Sequence, residues 1–312
     1  MNPVDQFLSH VKRRRWEHMR SKWASHIPYL DTPGCIPPNT VADVSGLDAI
    51  AQKLAADANA EITKCRASHY TVSPTFTPID EQLTGMYEAV FRESLFLLHK
   101  ARHVVGAAEF HAQAGLRTWS LADAYQGAFF AAKAALGFVG ISFAEHNNKA
   151  IAIDLFPNPV TSADQYSYCA FYYLGNRLEH RPVWEIFQRL LAISTVEVWP
   201  KNITNKLKSI ESNNFAKQRN NIHYKNNGWI LNDLHEFDHS KGFGNSSVWT
   251  EGLDFGRDDI SLAVALCVLK LGMLLVQDIE LFSKKLTPEM ELFAACVEKG
   301  RHPMYGELLL SK

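Results

Sequence analysis

Apolar side chains recur at three- and four-residue spacing along most of the chain, a pattern that predicts helices. From Asp80 to about Val105, Met86, Val90, Phe91, Leu95 and Leu98 make one stripe. Ser120-Leu-Ala-Asp123 reads as a helix cap, and behind it Ala124, Ala128, Ala131, Ala132 and Ala135 recur at helical spacing beside Phe129 and Phe130. Small side chains one turn apart let a second helix approach closely. Gly137 and Gly140 weaken the end of this element. Thr161-Ser-Ala-Asp164 predicts a further cap, followed by a helix through Tyr166, Cys169, Phe171, Tyr172 and Leu174 towards Gly175. Pro182 suits the first turn of the next helix, with Val183, Ile186, Phe187, Leu190 and Leu191 inward. Asp258 and Asp259 open a long apolar helix from Ile260 to about Phe282, and Thr287-Pro288 starts a last one.

Between these stretches the pattern breaks. The segment Pro3–Trp23 sets Lys12, Arg13, Arg14, Arg15 and Arg20 among Phe7, Trp16 and Trp23. It reads as a solvated helix face whose aromatic residues anchor it to the body, with an RNA-facing arm as the alternative. Five prolines and glycines between Ile27 and Thr40 make a strap, and an alanine-rich helix follows from Ser45 to about Cys65. Pro74 and Pro78 mark a second loop, and glycines punctuate Trp229–Arg257. No alternating run of five or more residues stands out as a strand, and Val196–Trp199 is the one short candidate. The expected fold is therefore all-α. Residues 1–79 form a basic helix, strap and accessory helix, 80–228 a helical core, and 229–312 a loop region with C-terminal helices packed on that core.

Composition narrows the function classes. The 312 residues are 46% hydrophobic and 21% charged, ordinary for a globular protein, and the net charge is −1. No global basic field recruits nucleic acid, so any such contact must come from a local patch. The five cysteines are scattered and lack zinc-finger spacing, which fits a reducing, cytoplasmic setting. Met1–Leu8 has no signal-peptide core. Two apolar runs, Ala124–Ala144 and Ser261–Val276, carry Gln126, Lys133 and Lys270, and read as buried core helices rather than membrane spans.

The chemistry with the sharpest reading lies in Phe215-Ala-Lys-Gln-Arg219-Asn220-Asn-Ile-His223-Tyr224. On a helix, residues four apart share a face with Cβ atoms about 5–6 Å apart. Arg219 offers a planar cationic fork for phosphoryl oxygens, and His223 exchanges a proton near neutral pH. Asn220 stands ready to orient the imidazole or hold the backbone, and Lys217, Tyr224 and Lys225 extend the surface as substrate-binding candidates. Cleaving RNA without a metal uses the 2′-hydroxyl as internal nucleophile and needs these two services, proton transfer and charge stabilisation. The rival view is a satisfied histidine and an arginine paired with Glu211.

Three features together resemble the HEPN family (higher eukaryotes and prokaryotes nucleotide-binding). They are the alanine- and aromatic-rich helix Ser120–Leu136, the amphipathic helix Gln82–Arg102 as its antiparallel partner, and Arg219-Asn-Asn-Ile-His223. The family usually places four to six residues between arginine and histidine, and this chain has three. The resemblance implies a HEPN-like antiparallel bundle and a metal-independent endoribonuclease of toxin or anti-phage defence type. It further implies RNA as substrate and a homodimer whose interface joins two Arg/His motifs, restrained by an antitoxin or sensor protein. No cofactor and no metal are implied. The alternative is a non-catalytic dimer that binds RNA, nucleotide or a partner protein, which the short spacer favours.

Other clusters are weaker. Arg13/His18 and Arg92/His99 have family-like spacing but lack the asparagine, and Arg92 is followed by Glu93. His235-Glu-Phe-Asp-His239 would suit a divalent metal, giving a metal-dependent hydrolase as a third reading. His99, His103 and His111 read as packing and surface residues, and Glu179-His180-Arg181 as a cap. No phosphate-binding glycine loop or nucleophile elbow is present.

Overall fold

The computed structural model describes residues 15–26, 70–78, 86–114, 116–146, 149–156, 167–173, 180–193, 196–210 and 262–283. In chain order these form helix α1 (Trp16–His26), strand β1 (Tyr70–Pro78), helices α2 (Met86–Gln113) and α3 (Arg117–Phe138), and strands β2 (Ile141–His146), β3 (Lys149–Asp154) and β4 (Ser167–Tyr173). Helices α4 (His180–Ile193), α5 (Lys201–Lys208) and α6 (Leu262–Ser283) complete the set. The described residues are mostly helical, as the periodicity predicts, and an antiparallel four-stranded sheet stands beside the helices.

Helices α2 and α3 share the most extensive interface in the fold. Their connection is short, so they run antiparallel. The amide of Leu116 reaches back to the His111 carbonyl at 2.8 Å, the long-range bond that closes a helix end in a Schellman turn. Close approach depends on small residues. Ala101, Ala108, Ala124, Ala128, Ala131, Ala132 and Ala135 are all buried. A Cβ at Gly127 would lie 3.3 Å from the Ala101 carbonyl oxygen and 2.5 Å from Val105 Cγ2, so only glycine keeps the helices at this distance.

The cap expected at Ser120 lies inside α3. The helix starts at Arg117 behind Leu116, whose carbonyl already accepts the Ser120 amide at 2.9 Å, and Ser120 itself is buried. At the other end the helix stops at Phe138. Gly140 adopts φ 86°, the left-handed conformation that ends helices without a Cβ penalty, and its carbonyl accepts the Leu155 amide at 2.8 Å. The chain thus leaves α3 directly into β2.

The sheet order is β1-β4-β3-β2 with every pair antiparallel. It overturns two sequence readings. The helix expected through Cys169, Phe171 and Tyr172 is strand β4, a central strand paired on both sides, with Phe171 opposite Val72 and Ala152. A run of tyrosine, phenylalanine and cysteine suits a pleated, half-buried surface, and pairing on two sides outweighs the local cap signal. The loop expected at Pro74 and Pro78 is β1, an edge strand whose register slips between Ser73 and Thr77. Proline lacks the N–H for a ladder, which confines it to an edge and favours a bulge there. The strand expected at Val196–Trp199 is instead a turn leading into α5.

Two elements close the core. Helix α6 packs on α1, α2 and α3. Its length and composition would suffice to cross a membrane, yet Leu262, Val264, Leu266, Leu269, Leu271, Leu275, Val276 and Ile279 are buried within the fold. Helix α1 then lies across α6 and α2. Trp16, Met19 and Trp23 are buried while Arg15, Glu17, His18, Ser21 and Lys22 face out, the anchored solvated helix expected of this basic segment. Trp23 packs edge-on against Phe156 at 5.0 Å and tilted against Phe91 at 5.4 Å, and its indole N–H donates to the Phe138 carbonyl at 2.6 Å. Arg20 and Trp16 both donate to Asp278 of α6, at 3.0 and 2.6 Å, and the Arg20 guanidinium lies 4.7 Å over Phe282.

Truncating Trp23 leaves a large cavity and strands the Phe138 carbonyl. Trp23→Ala should therefore lose about 3–5 kcal/mol of unfolding free energy, read from urea denaturation. A loss below about 1 kcal/mol would show that α1 is dispensable to the core.

Candidate functional site

The Arg219-Asn220-His223 motif, with Lys217, Tyr224 and Lys225, lies outside the described residues, as do Arg13 and the His235–His239 loop. What the structure describes is the helices and sheet on either side of that motif in the chain, with three polar constellations among them. Among the described residues no three histidine, cysteine or carboxylate side chains group as metal ligands.

The first constellation is built around His180, which opens α4. Its ring stacks on Phe129 of α3 with centroids 3.9 Å apart and on Tyr125, one turn earlier, at 5.5 Å. Tyr125 and Trp184 are fully buried, and His180 is half-buried. The Tyr125 hydroxyl lies 2.9 Å from His180 Nδ1 and accepts the Trp184 indole N–H at 3.3 Å. An indole nitrogen only donates, so the phenolic oxygen is its acceptor. The Tyr125 hydroxyl thus links His180 to Trp184, the donor on the His180 side being set by the imidazole tautomer. Of Glu179-His180-Arg181, read as a cap, Glu179 and the Arg181 side chain lie outside the described residues, and His180 opens α4 with its ring set in the α3–α4 interface. Its partners are 55 residues away in sequence, and only the i,i+4 spacing of Tyr125 to Phe129 and His180 to Trp184 hints at it.

The second constellation ties the turn end of the α2–α3 hairpin. His111 Nδ1 lies 2.7 Å from Asp123 Oδ2, both side chains a little over a quarter exposed. A carboxylate on Nδ1 fixes the imidazole orientation. His111, read from the sequence as a packing or surface residue, is partly exposed and has this partner twelve positions on and across the turn.

The third lies mid-hairpin. Glu93 of α2 has its carboxyl pushed above the ordinary range by burial while Lys133 of α3 pulls the other way. Lys100 places its ammonium 4.2 Å over the Phe130 ring. His103, on the same face, is exposed. Cys267 of α6 is buried, and burial drives its thiol up to about 12 against the opposing pull of Lys206 and Lys270. This is the packing thiol that its apolar context predicts.

Compared with known proteins, the chain matches no family model, no curated protein and no solved structure.

Two measurements check these environments. Tyr125→Phe removes the hydroxyl that bonds His180 and accepts from Trp184, and should cost about 1–3 kcal/mol in urea unfolding. The native chain should leave Cys267 unreactive to a disulfide reagent at pH 8 until it is denatured. Because the thiol's folded pKa is raised from 9.0 to about 12, the unfolded chain deprotonates first. The stability that Cys267 contributes is whole below pH 9 and declines as pH rises from 9 towards 12.

Proposed function

We propose that this chain is a metal-independent endoribonuclease, acting through Arg219 and His223 with Asn220 in support. The observation that carries the proposal is the α2–α3 hairpin: an alanine-rich helix packed antiparallel and at close range on the amphipathic helix before it. That is the pairing the HEPN resemblance requires of these two segments. The Arg-Asn-x-x-His sequence downstream supplies the chemistry.

In the proposed reaction, His223 takes the proton from a ribose 2′-hydroxyl as the 2′-oxygen attacks the adjacent phosphorus. The bond from phosphorus to the 5′-oxygen breaks. The products are a 2′,3′-cyclic phosphate and a 5′-hydroxyl, whose proton comes from the imidazole of a second copy in a homodimer. Arg219 binds the phosphoryl oxygens in bidentate fashion as charge gathers on them. A toxin or anti-phage role in the cytoplasm, held in check by an antitoxin or sensor protein, belongs to the same proposal.

A second reading keeps the fold without the cleavage: a dimer that binds RNA, nucleotide or a partner protein. The three-residue spacer between Arg219 and His223 and the net charge of −1 favour it. Incubation of a mixed RNA pool in EDTA separates the two, since a binder retards RNA without yielding fragments. On the nuclease reading, His223→Ala should slow cleavage by about 10²–10⁴-fold with unchanged circular dichroism and association state. Equal cleavage by parent and variant would remove the assignment.

A further inference from the structure

The outward face of the α2–α3 hairpin combines exposed rings with positive charge. On α2, Phe96, Lys100, His103 and Phe110 follow one another at spacings of four, three and seven, so they line a single ridge. Phe96 is 49% exposed and Phe110 66%. They stand fourteen residues apart, about 21 Å along the helix axis. Helix α3 runs alongside and adds Phe130, which Lys100 covers, and Trp119, which is 48% exposed. The antiparallel register set by Lys100 with Phe130 and by His111 with Asp123 brings Trp119 to the Phe110 end.

Charge on this hairpin is one-sided. Among its described side chains the acids are Glu93, Glu109 and Asp123. Glu109 is buried, Glu93 is half-buried with the Lys133 charge acting on it, and Asp123 is engaged with His111. The exposed titratable groups of the ridge, Lys100 and His103, are basic. A chain of net charge −1 therefore holds a local basic and aromatic strip. Rings that stack bases, set beside cations that meet phosphates, are the chemistry of single-strand binding. A second copy of the chain would bring the same positive charge against itself.

We infer that the outward face of the α2–α3 hairpin is a binding strip for single-stranded RNA, with Phe96, Phe110 and Trp119 stacking bases and Lys100 meeting the phosphate backbone. The strip deepens the nuclease reading, on which the choice of RNA rests, by naming where the substrate strand lies outside the Arg219/His223 motif.

The test uses the full chain carrying His223→Ala, so that RNA is not consumed, and a fluorescein-labelled twelve-nucleotide single-stranded RNA read by anisotropy over a salt series. Phe110→Ala should weaken binding by about tenfold. Lys100→Gln should flatten the dependence of log affinity on log salt by about 0.7, and Lys100→Arg should restore it. Both side chains are exposed, so circular dichroism should not change. The inference is overturned if the parent does not bind the RNA, or if the variants bind with unaltered affinity and slope. It is equally overturned if they abolish self-association in sedimentation while RNA binding persists, which would assign the face to a second copy. Cleavage by the chain with His223 intact is scored separately. Fragments with unaltered binding by the variants would remove the strip and keep the nuclease, whereas weakened binding without fragments would do the reverse.

Discussion

Close contact between α2 and α3 is the constraint from which the described fold is built. Two helices carrying leucines would sit near the wider end of the usual 8–10 Å axial range. Here alanines and Gly127 remove side-chain volume from the seam, so backbone nearly meets side chain at Ala101 and Val105. The larger side chains are thereby displaced to the flanks. Phe91, Leu95 and Leu98 of α2 and Tyr125, Phe138 and Leu136 of α3 turn towards the elements that cover the pair, and all are buried. The same narrowness lets one helix, α6, span both partners.

Buried indoles then join the remaining parts. Trp16 donates to Asp278 and Trp23 to the Phe138 carbonyl, fixing α1 to α6 and to the end of α3. Trp184 donates to Tyr125, fixing α4 to α3, and Trp199 donates to the Leu271 carbonyl at 3.2 Å, fixing the turn before α5 to α6. Each contact couples a large apolar area to one directional bond. The area supplies burial of about 25 cal/mol per Å², and the bond fixes which way each element faces. Without a partner, a buried indole N–H would cost about 1–3 kcal/mol.

Packing on the inner seam decides what the outer face can carry. With leucines, alanines and Glu109 turned inward and Glu93 half-buried, the exposed side chains described on the ridge are phenylalanines and basic groups. A net charge near zero conceals this division, because burial subtracts negative charge from one side of the hairpin alone. The function proposed for the Arg219/His223 motif and the strip proposed here would thus draw on different parts of the chain, one chemical and one positional.

From the sequence alone, the helices with long, regular stripes were legible. The α2 stripe, the inward residues of α4 and the apolar α6 follow from side-chain spacing, since a helix's own geometry decides which residues share a face. The aromatic anchoring of α1 was legible for the same reason. The candidate site is a motif read from the sequence, Arg219-Asn220-His223, that lies outside the described residues. Tertiary structure alone decided the sheet, because β4 becomes a strand through neighbours on both sides, and β1 through an edge where Pro74 does no harm. It alone decided the partners of His180 and His111, found 55 and 12 positions away. Local periodicity records which way a side chain points, but not what another part of the chain will place in front of it.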